Sequence, residues 1–334
     1  MGNYRIRKRY ISMSQSVLSA ENVVMHFAKR QSILDRLRKK EVFNVPAVDG
    51  VTVDLFRGET LGLVGESGCG KSTLGRTLVG LYTASNGAII LNEKEMGSER
   101  TLEERRSVQM VFQDPFSSLN PRMKVGEVLR EAIAFHNLVP KDKVEERSLE
   151  ILSLVGLPKE ALDSYPRQFS GGQRQRIGIA RALALEPKIL IADEVVSALD
   201  VSVQASVVNL LMDLKRDLGL TMLFISHNIA IVRQVSDRIA VMYLGRIVEI
   251  GSTEEIFNNP SHPYTRLLLS SVPKMTSGSQ ISAAPNGELQ SIKSAMVGCR
   301  FRSRCPVAIS SCATIDPDLR VVNGDHKAAC LLVK

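Results

Sequence analysis

The chain has 334 residues, 44% of them hydrophobic and 23% charged, with a formal net charge of +8, enough to bury a core for one or two domains. No run reaches the about 18 consecutive apolar residues of a membrane span, and the basic N-terminus "MGNYRIRKRYISMSQS" lacks the apolar stretch of a secretory signal. These features predict a cytosolic protein, or one held at a membrane surface through a partner. Gly2 stands where N-myristoylation would begin, but Ile6 occupies the position that wants Ser or Thr.

Residues 1–19 form a basic arm, and the positive excess sits in its "RIRKR" and in "RLRKK" at residues 36–40. Such runs form solvated arms or are drawn to anionic lipid headgroups. No aromatic residues interleave a basic face, which argues against a nucleic-acid partner. From about residue 20 to 258, short apolar runs alternate with amphipathic stretches, predicting an α/β domain with a mostly parallel core sheet. "TLGLV" reads as a strand that ends at a glycine loop, and Leu74, Leu78 and Leu81 follow at helical spacing. Over residues 124–163 the strand signal vanishes. "VGEVLREAIAFHNL" and "VEERSLEILSLVGL" predict helices of an insertion between two halves of the sheet, within a helical subdomain of about 124–180. "KILIAD" reads as a buried parallel strand. Asp200 is expected to cap a helix with the apolar stripe Val203, Val207, Leu210, Leu214 and Leu218, ended by Gly219. "TMLFISH" is another buried strand, and "RIAVMYLGRIVEIG" a hairpin with Gly245 in its turn. After residue 258 the composition turns to Pro, Ser and Gly, a linker into a small extension over 259–334.

The chemistry is carried by two phosphate-facing patterns. "GESGCGKS", residues 65–72, fits G-x-x-x-x-G-K-[ST] between a strand and a helix. Gly65, Gly68 and Gly70, with Glu66, Ser67 and Cys69, let backbone N–H groups wrap a polyphosphate, the N-terminus of the helix that follows adds a favourable field, and Thr73 is a further candidate for binding the nucleotide. Lys71 is placed for the β- and γ-phosphates and Ser72 for Mg²⁺. In "ILIADE", Asp193 ends a buried strand and can hold Mg²⁺, while Glu194 is placed to polarise a water as general base. Gln113 and His227 each follow an apolar run, at the strand ends where α/β sheets bind ligands. "FSGGQ", with Ser170, Gly171, Gly172 and Gln173, places a second glycine pair at a helix start.

Walker A "GESGCGKS", the glutamine loop at Gln113, "FSGGQ", Walker B "ILIADE", the "SALD" loop ending at Asp200 and the switch His227 come in the order of an ATP-binding-cassette (ABC) ATPase. From about residue 20 to 260 the chain resembles that family. The resemblance implies a P-loop NTPase fold with a mostly parallel core sheet, an antiparallel β subdomain, a helical insertion and a small C-terminal extension. It implies ATP and Mg²⁺, with Gln113 beside the metal, and two ATPase subunits packed head to tail. Ser170, Gly171 and Gly172 then grip the γ-phosphate of the ATP held by the other subunit, which explains two phosphate-facing helix ends in one chain, and Gln173 and Asp200 are implied to bind nucleotide as well. Phe27 lies where the family keeps an aromatic that stacks on adenine; Phe43 is a rival. Val195 replaces a usual proline after the catalytic glutamate, and Phe169 replaces a usual leucine.

"NNPSHPYTRLLLSSVP" resembles the C-terminal extension of the oligopeptide, dipeptide and nickel importer branch. That resemblance implies two membrane permeases as partners, with an extracytoplasmic solute-binding protein acting indirectly, at the cytoplasmic face of a bacterial inner membrane. The transported solute would be an oligopeptide or dipeptide, or else nickel, an opine or another small solute. Cys299, Cys305, Cys312 and Cys330 follow as C-x5-C-x6-C-x17-C. In a cytosolic ATPase disulfides are disfavoured, and four thiolates can bind a [4Fe–4S] cluster or Zn²⁺, with His326 able to replace one thiol for zinc. Some members of this branch carry such a cluster. A soluble ABC ATPase of translation or DNA repair is the reading from another class. The first usually has two cassettes and the second long coiled coils, and this chain shows one "FSGGQ" and no sustained heptads.

Overall fold

The structure is a computed structural model, and it describes residues 15–27, 45–114, 119–270 and 296–333. Residues 1–14 of the basic arm, the "RLRKK" run and Phe43 lie outside the described residues, and residues 16–19 of that arm already belong to the first strand. The chain opens with β1 (Ser16–Phe27) and β2 (Val45–Phe56), which pair antiparallel, and β1 also pairs with β4 (Asn86–Leu91). With β5 (Lys94–Glu95) they form a four-stranded antiparallel sheet in the order β2-β1-β4-β5.

A second sheet is built on β3 (Thr60–Val64), β6 (Val108–Val111), β7 (Ile189–Asp193), β8 (Thr221–Ser226) and β9 (Arg238–Tyr243). These five strands are parallel, in the order β9-β3-β8-β7-β6. Every residue of β3, β7 and β8 is buried, because the sheet is covered on both faces, which is why these strands read as unbroken apolar runs. Alternation persists as a choice between two cores. Leu61, Leu63, Ile189, Ile191, Leu223 and Ile225 face a core shared with the antiparallel sheet. Val64, Leu190, Ala192, Met222 and Phe224 face the opposite core.

Helix α1 (Lys71–Leu78) follows the glycine loop, and its Leu74 and Leu78 are fully buried. Leu81 does not extend that stripe: it lies past the helix end and is 56% exposed. After α2 (Leu102–Ser107) and β6, the insertion contains α3 (Val125–Phe135) and α4 (Val144–Leu154), then α5 (Gly171–Leu183). Val125, Leu129 and Ile133 recur every four residues on the buried side of α3.

Helix α6 (Val201–Leu218) ends at Gly219 in the left-handed conformation, as its sequence predicts. Two details differ. Asp200 occupies the N-cap position but its side chain makes no capping hydrogen bond. The buried stripe is Val207, Val208, Leu211 and Leu214, whereas Leu210 is only half-buried and Leu218 exposed. The helix is rotated by about one position from the expected face, because a 3.6-residue repeat accepts either of two adjacent apolar columns.

Helix α7 (Ile229–Val235) leads into β9, which pairs with β10 (Arg246–Ser252) through a turn in which Leu244 and Gly245 both have positive φ, 43° and 84°. That is the two-residue turn whose twist suits a hairpin. Helices α8 (Thr253–Asn258) and α9 (Pro263–Ser270) follow, and the tail adds β11 (Arg320–Asn323) and β12 (His326–Ala328). Glu249 and Ile250 of β10 pair with Ala328 and Lys327 of β12. The tail's hairpin therefore continues the main sheet at its edge.

Candidate active site

The loop of residues 65–72 leaves the carboxyl end of β3 and enters α1. At Gly70 φ is 110°, and a Cβ there would stand 2.1 Å from the Ala47 carbonyl oxygen; at Gly65 a Cβ would stand 2.2 Å from that of Met242. Only glycine lets the loop lie this close to its neighbours while turning its N–H groups inward. Lys71 is 3% exposed. Its ammonium donates to the carbonyls of Gly65 and Glu66, each at 2.9 Å, and lies 3.9 Å from Glu194 Oε1.

Three neighbouring strand ends complete the site. Ser72 donates its hydroxyl to Asp193 Oδ1 at 2.7 Å. Asp193 is fully buried, and its Oδ2 has no hydrogen-bond partner among the described residues. Burial pushes the Asp193 carboxyl above its ordinary value, against the pull of Ser72 and Arg76. A buried carboxylate oxygen with nothing to accept from is costly, and it suits the hydrated Mg²⁺ that accompanies a triphosphate. Glu194 sits on a left-handed backbone, φ 46°, with its N–H on the Ile225 carbonyl at 2.9 Å. This conformation costs about 1–3 kcal/mol for a residue other than glycine, and it turns the chain sharply after β7. Glu194 Oε2 lies 3.2 Å from His227 Nδ1, beyond β8.

Gln113, just past β6, joins the same network. Its amide donates to Ser197 Oγ at 3.4 Å, and Ser197 donates to the Glu194 carbonyl at 2.9 Å. Lys71, Ser72, Gln113, Asp193, Glu194 and His227 thus meet at one sheet edge, over β3, β6, β7 and β8. Ser197 opens the "SALD" loop, three residues after Glu194, and connects it to Gln113, a role the sequence reading did not assign to it.

Ser170 caps α5: its hydroxyl accepts from Gln173 N–H at 3.3 Å, and its own N–H donates to Gln173 Oε1 at 3.0 Å. Ser170 and Gly171 are exposed, while Gly172 is buried with no room for a Cβ, which would stand 2.4 Å from Val203 Cγ1. Asp200 is also exposed. Phe169 packs against the core as an apolar anchor, and Val195 is buried. Phe27, at the end of β1, is 42% exposed and stands edge-on to Tyr82 with ring centroids 5.4 Å apart.

The four tail cysteines, all free thiols, line one cavity together with His262 and Phe301. Burial pushes the Cys299 and Cys305 thiols up. Among the described residues, no three His, Cys, Asp or Glu side chains are placed to hold one metal ion. His326 stands elsewhere: its Nε2 lies 2.7 Å from Oε1 of the fully buried Glu249, so it is committed to that carboxylate. Among the described residues no helix is long and apolar enough to cross a membrane.

Comparison with known proteins agrees with this geometry. Residues 48–197 match the ABC transporter family, and residues 248–312 the C-terminal region of oligopeptide/dipeptide transporters. The chain is 46% identical over 325 residues to the oligopeptide transport ATP-binding protein AppF of Bacillus subtilis (strain 168), covering 95% of this chain and 98% of that protein. It is 45% identical over 333 residues to OppF of Salmonella typhimurium, again covering 95% and 98%. Among solved structures, cbiO1 of Clostridium perfringens superposes with a TM-score of 0.61 at 27% identity, over 77% of this chain and 94% of that one. The ATP-binding cassette MJ0796, in a dimeric post-hydrolysis state with ADP and phosphate, gives 0.61 at 26% identity, over 71% and 98%. The P-loop, the paired acids and the histidine over adjoining parallel strands, together with near full-length relatives, place the chain among the ABC transporter ATPases.

Proposed function

We propose that the chain is the ATP-hydrolysing, energy-coupling subunit of a binding-protein-dependent importer of oligopeptides or dipeptides. It would act peripherally at the cytoplasmic face of the bacterial inner membrane, with two permeases and a second ATPase subunit as partners. The solute class rests on the C-terminal region and on the relatives' names. The observation that carries the catalytic reading is the joining of Lys71, Glu194, His227 and Gln113 in one polar network beside the buried Ser72–Asp193 pair.

In this reading Gly65, Glu66, Ser67, Gly68, Cys69, Gly70 and Thr73 frame the triphosphate, Lys71 takes its β- and γ-oxygens, and Phe27 stacks on adenine. Ser72, Asp193 and Gln113 hold Mg²⁺, which supplies charge neutralisation on the phosphates. Glu194 takes a proton from the attacking water, and His227 holds that carboxylate in line through Nδ1. Ser170, Gly171, Gly172, Gln173 and Asp200 serve the neighbouring subunit's ATP. Ser170, Gly171, Gln173 and Asp200 are exposed at the start of α5 and just before α6, which leaves them available to a partner, while the buried Gly172 lets α5 pack closely on Val203. Glu194→Gln is expected to bind ATP and lose turnover by about 100-fold or more. Wild-type ATPase activity in that variant would refute the assignment of Glu194.

A second site reading concerns the tail. All four thiols face one cavity, yet no three are placed for a single ion. A tetrahedral zinc needs its donors about 2.3 Å from one point, whereas a [4Fe–4S] cluster takes one thiolate at each iron corner. The shared cavity is what supports a metal-binding tail, holding a [4Fe–4S] cluster or Zn²⁺. Protein purified anaerobically should contain iron and sulfide in matching amounts, or else zinc; protein with none of them would end this reading.

A further inference from the structure

Glu66, the second residue of the phosphate loop, is held from outside the cassette at two points. Its main-chain N–H donates to the Tyr264 hydroxyl at 2.9 Å. Its carboxylate accepts two hydrogen bonds from Arg304, Nη1 to Oε2 and Nη2 to Oε1, both at 2.8 Å. Tyr264 opens α9 and Arg304 lies in the cysteine tail, 198 and 238 residues away in sequence. Neither lies within the cassette match of residues 48–197.

Both partners have rigid seats. Tyr264 is fully buried, with ring centroids 4.6 Å from Tyr243 and 5.4 Å from Phe301. The Arg304 guanidinium lies over those same two rings, 6.0 and 5.9 Å from their centroids. Its side chain is 12% exposed and that of Glu66 is 24%. Arg304 Nε is buried without a hydrogen-bond partner among the described residues, a cost that the two-point pair with Glu66 offsets.

A carboxylate in a phosphate cradle repels a triphosphate. A forked guanidinium cancels that charge and fixes the direction of the carboxylate, which a lysine's point charge does less well. The Tyr264 hydroxyl occupies the Glu66 amide, so the loop's backbone at this residue is set before nucleotide arrives, and a loop ordered in advance loses less entropy on binding. We infer that the C-terminal extension holds the phosphate loop in its ATP-accepting form, with Arg304 and Tyr264 as positioning residues for ATP binding. ATP affinity then depends on the extension as well as on the cassette.

The test is equilibrium binding of ATP with Mg²⁺ to the full chain, with KM and kcat measured alongside. Arg304→Ala should weaken ATP binding about five- to tenfold, the lower part of the range for coupling between sites, and raise KM with kcat little changed. Arg304→Lys should recover part of the loss. Tyr264→Phe, which keeps the ring packing, should weaken binding about threefold, as loss of one hydrogen bond does. The decisive arm is Glu66→Gln: with no carboxylate to neutralise, adding Arg304→Ala should change affinity less than twofold, and the Arg304→Ala defect alone should shrink as salt rises. Affinity unchanged in both Arg304→Lys and Tyr264→Phe would overturn the inference, and these two variants decide it if Arg304→Ala fails to fold. An Arg304→Ala defect that persists undiminished with Glu66→Gln would overturn it too, leaving a staple between parts of the fold. ATP binding needs neither permease nor solute, so failure here leaves the importer reading standing, and failure of peptide uptake leaves this one standing.

Discussion

At the scale of single residues, the site depends on groups kept in states they would not hold in water. Asp193 is fully buried with an open oxygen, Glu194 holds a left-handed backbone, and Lys71 is 3% exposed among loop carbonyls. His262 is another such group. Its Nδ1 accepts the Tyr264 N–H at 3.1 Å, which requires that nitrogen to be unprotonated, and burial pulls its pKa from 6.5 down to about 4. Between those two values the unfolded chain holds the extra proton and the folded chain does not, so stability falls as pH drops from 6.5 toward 4. The maximum slope is about 1.4 kcal/mol per pH unit. Urea midpoints of the wild type and His262→Asn, measured across that window, should differ in slope, the wild type losing more on acidification. Parallel curves would contradict a buried neutral His262. The motif residues were legible in the sequence because each type is dictated by phosphate or proton chemistry. Tyr264 and Arg304 were not, because no local pattern links either to Glu66, and only the fold brings them together.

At the scale of elements, the buried strands were legible because a sheet covered on both faces demands apolar residues at every position. Gly219 and Gly245 were legible because a helix end and a tight turn both need positive φ. The face of α6 was harder, since Val203, Leu210 and Leu218 offered an apolar column beside the one that is buried. The observed face predicts unequal costs. Leu211→Ala should destabilise by about 2–4 kcal/mol, as for a fully enclosed leucine, and Leu210→Ala by about 1 kcal/mol. Chemical denaturation checks this, and equal losses would contradict the orientation of α6. The strands β11 and β12 escaped the sequence reading because they span only four and three residues with mixed polarity. Their pairing with β10 is what makes the tail part of the main sheet.

At the scale of the whole molecule, one chain carries a deep phosphate loop and, at the start of α5, an exposed serine–glycine helix start. The Ser170 hydroxyl accepts from Gln173 N–H in capping its own helix, so its proton stays free to donate to a second ligand beside the amino end of α5 and its field. Two such ends in one chain are economical only if each serves a different nucleotide, with the site closed by a neighbouring subunit. The central claim is therefore a shared site, and it is tested most directly by electron cryomicroscopy of the assembled transporter carrying Glu194→Gln and loaded with ATP. The account predicts that the triphosphate held by Lys71 of this chain is covered by a serine–glycine helix start from the other ATPase subunit. A triphosphate enclosed by Lys71 and Ser170 of the same chain would contradict it.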